Sequence, residues 1–526
     1  MPPSARDRNP LASLAVSGKA NGSRPGPLVP GDLLRWSGFG AALLLTGASW
    51  AGLAVARSMP DATTLPLAAS VTGAGLLVLS WALLGRVVLT SRTPPNGRWL
   101  RWTLLLWCTP LVVAPPLFSN DVFSYLAQGE IAARGLDPYL VGPASGLGAS
   151  SEIVERVGVY WRDTPSPYGP LFGAIERLIA QASAGDIVQG IILHRLVEVL
   201  GLLLVLWATP RLATAAGVPR RTALWLGVLN PLVLGHFVAG VHNDSLMMGL
   251  LLAGTAITVE AIEQQIKWRP LLLGVVLIAL GTQVKLPALV ALAAVGTALA
   301  RRRGGRVSDL LLAAASMVLV FAGVSTLISL LTGLGFGWSQ ALGTPGQVNS
   351  WMAPTNWVGF LAGGVGAVFG AQITQTAIGV GRFVGYVLMV CGIAFVLHRQ
   401  LRGRIDQVAS LGMMLGLVVL LGPVVQPWYL LWAVIPLAAS LPPGRALSGL
   451  AALVTIFAVL VPPSAGNFAN RIGQLVTAYA VGIVLTGVAL LLLRRTGART
   501  APDNVAVPLI GKSRPGAMPH HDQELG

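Results

Sequence analysis

The chain has 526 residues, 54% of them hydrophobic and only 11% charged, with a mean hydropathy of +0.70, whereas a soluble domain carries about 25% charged residues. Apolar runs of about 17–25 residues, long enough to cross a bilayer, recur along almost its whole length; they exclude an ordinary soluble enzyme and predict an all-α polytopic membrane protein. The net charge of +16 does not predict a nucleic-acid partner, because Lys and Arg sit in short loops between apolar runs and no basic stripe is interleaved with aromatics.

Residues 1–31 are polar, rich in Pro and Gly, and read as a disordered segment with no cleavable leader. Arg6, Arg8, Lys19 and Arg24 place it in the cytoplasm. Leu33–Ala56 then crosses outward, and Leu67–Leu89 returns to Arg92, Arg98 and Arg101. Thr103–Leu117 crosses outward again and delivers "FSNDVFSYLAQGEIAARGLDPYL", Phe118 to Leu140, to the outer face. The region 118–186 has no clear span, carries amphipathic helix, and holds Asp121, Asp137, Asp163 and Asp186 with Glu130, Glu152, Glu155 and Glu176. Ile187–Ala208 enters, Thr222–Gly240 exits to His242-Asn243-Asp244, and Ser245–Glu260 enters. Leu271–Val284 exits to a turn at Lys285, and Ala288–Ala300 returns to Arg301-Arg302-Arg303. Leu310–Thr332 exits. Of Val358–Gly370 and Ile378–Leu397 only the second spans, so that Arg399, Arg402 and Arg404 stay inside; the first reads as re-entrant or interfacial. Leu411–Val425, Trp428–Leu441, Leu447–Val461 and Leu475–Leu493 bring the total over 32–495 to about 12–14 spans by these length criteria. The tail, 496–526, reads as disordered and cytoplasmic, with His520-His521 a weak metal site. Cys108 and Cys391 fall inside apolar runs and predict no disulfide.

In this topology Asp121, Asp137, His242-Asn243-Asp244, Lys285 and Arg471 all reach the outer mouths of helices. A charge at a membrane helix centre costs about 2.5–3.5 kcal/mol, so a convergent set is a candidate site. Each also has a local structural role open to it. Asp121 follows Ser119-Asn120 and is placed to cap the helix from Val122. Asp137-Pro138 is a turn starter, His242-Asn243-Asp244 can cap Ser245–Glu260, and Lys285 can snorkel to headgroup phosphates. Arg195 and Glu198, three residues apart inside a span, are expected to pair with each other.

The chain shows no phosphate-binding loop, dinucleotide fingerprint or metal-ligand spacing, so nucleotide-driven chemistry is unsupported and no cofactor is expected; a divalent metal stays open. A carboxylate beside cations, lined with Trp and Tyr, suits glycosyl transfer from a lipid-phosphate sugar. The phosphate leaves without a general acid if cations stabilise it, and one base takes the acceptor proton. Glycosidases, whose leaving group must be protonated, use two carboxylates instead.

"FSNDVFSYLAQGEIAARGLDPYLVGP" at Phe118–Pro143, "TPSPYGPLF" at Thr164–Phe172, "LNPLVLGHFVAGVHNDSLMMGLLLAG" at Leu229–Gly254 and "QPWYLLW" at Gln426–Trp432 resemble the actinobacterial polyprenol-phosphate-mannose-dependent α-(1→6)-mannosyltransferases of the MptA/MptB type. The resemblance spans roughly Leu33 to Arg495. It implies a GT-C glycosyltransferase-like helical bundle in the plasma membrane with its active site on the extracytoplasmic face. It also implies an inverting reaction from β-mannosyl-phosphoryl-polyprenol to a growing lipid-anchored α-(1→6)-mannan, the core of lipomannan and lipoarabinomannan. Asp121 would be the essential acid of the first large outer loop, and Asp137 its second acid. His242, Asn243 and Asp244 would line the acceptor or phosphate region, with Asn120, Tyr125, Tyr139, Tyr168, Gln426 and Trp428 completing the substrate-binding set. Lys285 and Arg471 are candidates for the lipid phosphate on topology alone, and the prenyl chain is expected in a groove between spans. In many GT-C folds the catalytic loop follows the first helix, whereas here it follows the third. Transfer of another polyprenol-linked sugar, arabinosyl or glucosyl, stays open. A secondary transporter or flippase is the contrasting class, disfavoured by the lack of an internal repeat and by acids at the outer face.

Overall fold

The structure, a computed structural model, describes residues 29–464, 468 and 471–499. The N-terminal segment up to 28 and the tail from 500, with His520-His521, lie outside the described residues. The first third of the chain forms α1 (Gly31–Ser58), α2 (Thr64–Thr90), α3 (Gly97–Val112), α4 (Asp121–Ala133), α5 (Pro143–Leu147), α6 (Glu152–Arg156) and α7 (Pro170–Ser183). The middle holds α8 (Ile187–Ala215), α9 (Arg220–Ala223), α10 (Asp244–Ile262), α11 (Trp268–Thr282), α12 (Leu289–Arg303) and α13 (Val307–Thr332). α14 (Pro354–Val368), α15 (Thr374–Leu401), α16 (Gln407–Leu421), α17 (Leu430–Ala438), α18 (Arg445–Leu460) and α19 (Ile472–Arg499) follow. Among the described residues there is no strand. The protein is an all-α polytopic membrane protein.

Among the described residues, seven helices (α1, α2, α8, α10, α13, α15 and α19) are long and apolar enough to cross a bilayer. The other expected spans are helices of 9 to 16 residues. At 1.5 Å per residue even the longest rises only about 24 Å, short of a hydrocarbon core of about 30 Å. Among the described residues, seven helices, or eight counting the bent pair below, are therefore long enough to cross on their own. α10 and α2 are central, with 72% and 67% of their most apolar windows buried, whereas α13 (17%), α15 and α19 (11% each) present bare apolar faces. α10 lies close against α8 because neither helix has a side chain at the crossing. A Cβ on Gly249 would sit 2.5 Å from Gly201 O, and one on Gly201 would sit 2.5 Å from Leu246 N. Small residues of this kind let membrane helices approach to backbone contact.

The expected straight span Thr222–Gly240 is a broken one. α9 runs into two π-helical segments, Leu224–Val228 and Val233–Ala239, and the two limbs are bent by 59°. Asn230-Pro231 supplies the break. The Asn230 side chain donates to Leu226 O and accepts from Val233 N, while Pro231 has no N–H with which to continue the ladder. Val358–Gly370 forms most of α14, which folds back on α15; Gly359 meets Ile378 and Gly363 meets Thr374 at the seam.

Arginine-rich turns fall after α2, α8, α12 and α15. The alternate corners are tied together by backbone hydrogen bonds at the opposite end of the bundle. Leu117 N donates to Ala239 O (3.2 Å), Phe118 N to Pro463 O (2.8 Å), and Gly169 N to Val284 O (3.3 Å). The long connection from α3 to α8, which carries α4 to α7, packs onto this end through those bonds.

Candidate active site

The site begins at the entry to α4. Phe118 has a left-handed backbone (φ 65°), and Ser119 Oγ accepts from Asp121 N at 3.1 Å. Asp121 is the first residue of α4, where the helix dipole favours a negative charge. Its carboxylate does not cap the helix. Oδ2 lies 3.3 Å from His242 Nδ1, with the Asp121 side chain 20% exposed and His242 wholly buried. Burial alone would push the Asp121 carboxyl up, but the His242 imidazole, the Ser119 hydroxyl and the Lys285 ammonium outweigh it and hold it below the usual carboxylate range.

His242 arrives from the other side on a corner of its own. Val241 before it is fully buried and left-handed (φ 56°), a conformation rare for a β-branched residue and worth about 1–3 kcal/mol of strain. His242 N donates to His236 O, and the ring stacks on Trp428 at 3.8 Å and 26°. Two residues on, Asp244 is completely buried. It accepts from Lys285 Nζ at 2.9 and 3.1 Å and from Trp432 Nε1 at 2.7 Å. Lys285 therefore turns inward and does not snorkel. Its ammonium also lies over the rings of Tyr429 (4.7 Å) and Trp432 (5.5 Å).

Other expected residues have different tasks. Tyr125 is fully buried, edge-on to Tyr168 and Phe172, and its hydroxyl accepts from Asn243 N at 3.5 Å. It braces α4 against the start of α10. The buried Asn243 side-chain amide has no hydrogen-bond partner. Asp137 serves the turn, as its local sequence suggests: Oδ1 accepts from Tyr139 N at 2.8 Å and the residue is exposed. Tyr139 is buried, and its ring faces Gly337. Gln426 opens the turn that carries Trp428, its carbonyl accepting from Tyr429 N. The expected pairing of Arg195 with Glu198 is not formed. Arg195 donates to the carbonyls of Val112, Val238 and Ala239, while Glu198 Oε2 accepts from Leu246 N in the first turn of α10. A guanidinium with three carbonyls in reach has no need of a carboxylate, and the carboxylate finds exposed N–H groups at a helix start.

Two openings reach this region. A groove of about 560 Å³ runs between α1, α2, α3 and α8, with apolar walls such as Trp50, Leu53 and Ile191, and Asn120, Arg156 and Arg471 along it. Arg471 thus lies in the groove, while Lys285 sits in the carboxylate cluster. A much smaller cleft, about 10 Å³, is lined by Asp121, Ser124, Gln128, Trp161, Thr164 and Tyr168. Sequence reasoning missed Ser124, Gln128, Tyr429 and Trp432. The first two were findable, since 121, 124 and 128 share one helix face, and Trp432 stands four residues after Trp428.

Fold and site define an integral-membrane helical protein with a polar, aromatic-lined centre at one end of its bundle, beside a largely apolar groove. Residues 31–301 match the family model "Alpha-(1->6)-mannopyranosyltransferase, N-terminal domain", and residues 355–492 match "MptB C-terminal domain". The chain belongs to the α-(1→6)-mannopyranosyltransferase family. It is 42% identical to a probable α-(1→6)-mannopyranosyltransferase of Mycolicibacterium smegmatis over 85% of this chain and 83% of the relative. It is 40% identical to an α-(1→6)-mannopyranosyltransferase of Mycobacterium tuberculosis over 80% and 78%. It is 35% identical to α-(1→6)-mannopyranosyltransferase B of Corynebacterium glutamicum over 70% and 64%. No solved structure matches the chain.

Proposed function

We propose that the protein transfers mannose from polyprenyl-phosphate mannose to the 6-hydroxyl of a growing α-(1→6)-mannan at the extracytoplasmic face of the plasma membrane, with inversion at the anomeric carbon. The observation that carries this reading is the placement of Asp121. It is the partly open carboxylate of the cluster, and the residue before it, Asn120, lines the apolar groove. The prenyl chain would lie along Trp50, Leu53 and Ile191, with Arg471 and Arg156 near the phosphate. Asp121 takes the proton of the attacking hydroxyl as oxygen bonds to C1 and the C1–O bond to phosphate breaks. The leaving polyprenyl phosphate keeps the electron pair and is stabilised by the cations. Lys285, held by Asp244 and lying over Trp432, adds a small pull towards the charged form of Asp121. The names of the relatives support the sugar and the linkage; the groove supports a lipid carrier.

A cell-free assay with labelled mannosyl-phosphoryl-polyprenol and a short α-(1→6)-mannoside tests the proposal. Loss of a general base lowers turnover by about 10²–10⁴-fold, so Asp121→Asn is expected to lose transfer to that extent while still binding the donor. Near-normal turnover in Asp121→Asn removes Asp121 from the mechanism. Efficient use of an arabinosyl or glucosyl donor in place of the mannosyl one removes the sugar assignment.

A further inference from the structure

We infer that the small cleft beside Asp121 is the binding site for the acceptor pyranose, with Ser124 and Gln128 as the residues that read its hydroxyls. Asp121, Ser124 and Gln128 occupy one face of α4 at spacings of three and four. Ser124 is 7% exposed and Gln128 3%. Both carry a buried oxygen with no hydrogen-bond partner, Ser124 Oγ and Gln128 Oε1, and both line the cleft. Buried polar atoms are paired in the great majority of cases, and an unpaired one calls for an explanation. Gln128 is moreover held in place, its Nε2 donating to Thr164 O, so its free oxygen keeps a fixed direction. The rings of Trp161 and Tyr168 line the same cleft. Fixed polar groups and aromatic rings in one cleft match the two chemistries a pyranose presents, hydroxyl edge and C–H face.

Placement identifies the sugar as the acceptor. The apolar groove shares no residue with the cleft: Asn120, just before α4, and Phe123 of α4 line the groove, and 121, 124 and 128 line the cleft. Beside the cleft runs the short turn Val159–Trp161, whose first two residues are 71% and 75% exposed, so a hydrophilic chain can approach from water. The free space, about 10 Å³, holds no more than one water. A pyranose enters this cleft only if Trp161 and its exposed turn move aside. This inference rests on the proposed transfer reaction, since Asp121 must meet the acceptor hydroxyl.

The test uses full-length protein in lipid nanodiscs and α-(1→6)-mannotriose, measured for equilibrium binding without donor and for KM in the transfer assay. Ser124→Ala removes only an unpartnered hydroxyl, so its melting temperature stays that of wild type. Its affinity for mannotriose is expected to fall by about tenfold, the equivalent of 1.4 kcal/mol, with donor KM unchanged. Gln128→Leu is expected to do the same more strongly. Unchanged mannotriose binding in Ser124→Ala overturns the inference. So does a rise in donor KM at constant acceptor affinity, which would assign the cleft to the donor sugar, and so does a wild type that binds no mannotriose. Wild-type protein that binds mannotriose through Ser124 but transfers no mannose sinks the proposed reaction alone.

Discussion

Asp121 is a carboxylate in an environment that pulls in two directions. Burial favours its neutral form, whereas His242, Ser119 and Lys285 favour the charged form and prevail. A carboxyl held below its usual value of about 3.9 is ionised throughout the neutral and mildly acidic range. The acid limb of kcat/KM accordingly falls only as pH drops through that lowered value. His242→Phe keeps the burial and removes the imidazole, so the limb is expected to move to higher pH. A pH profile of kcat/KM for the variant measures this, and an unmoved limb would show that the imidazole does not hold the carboxylate. The roles of Asp121 and His242 as neighbours were within reach of sequence reasoning, because both occupy corners that topology brings to one end. The inward turn of Lys285 was not, because its partners Asp244, Tyr429 and Trp432 come from two distant parts of the chain. Local spacing likewise suggested a bond between Arg195 and Glu198, yet each side chain found better partners on the backbone of other elements.

Helix positions were the most legible feature. Leu33–Ala56, Leu67–Leu89 and Leu310–Thr332 lie within α1, α2 and α13, since twenty apolar residues in a row have few other ways to satisfy their backbone in lipid. The break at Asn230-Pro231 escaped hydropathy, which is the same for a straight helix and for two π-helical limbs, although a proline inside the apolar run signals it. The expected span Thr103–Leu117 was misplaced towards its C-terminal end. The helix starts at Gly97, with Asn96 Oδ1 accepting from Trp99 N as its cap, among arginines that hydropathy discounts. The α8–α10 crossing sets the height of Asp244, the first residue of α10. A methyl group on Gly249 would collide with Gly201 O, and overpacking of this sort costs about 1–3 kcal/mol. Gly249→Ala is therefore expected to lower the melting temperature and reduce transfer together. Gly323→Ala, where nothing lies within 4 Å, is the control expected to change neither.

The bundle as a whole sorts charge by end. Arginine-rich turns occupy one end, and the α4 to α7 connection with the carboxylate cluster occupies the other, as the positive-inside rule would have it for an extracytoplasmic site. Cysteine labelling measures that orientation. In protein with Cys108 and Cys391 replaced by Ala, Ser150→Cys in the exposed α5–α6 connection is expected to react with an impermeant maleimide in intact cells. Arg402→Cys, after α15, is expected to react only in broken cells. The reverse pattern would place the site in the cytoplasm. The two faces of α4 carry a last consequence. If carrier and glycan do occupy groove and cleft separately, spent polyprenyl phosphate can drift back into the bilayer while the lengthened polymer stays seated. One polymer could then slide forward by a single unit for each new carrier that docks, so several additions would follow from one encounter.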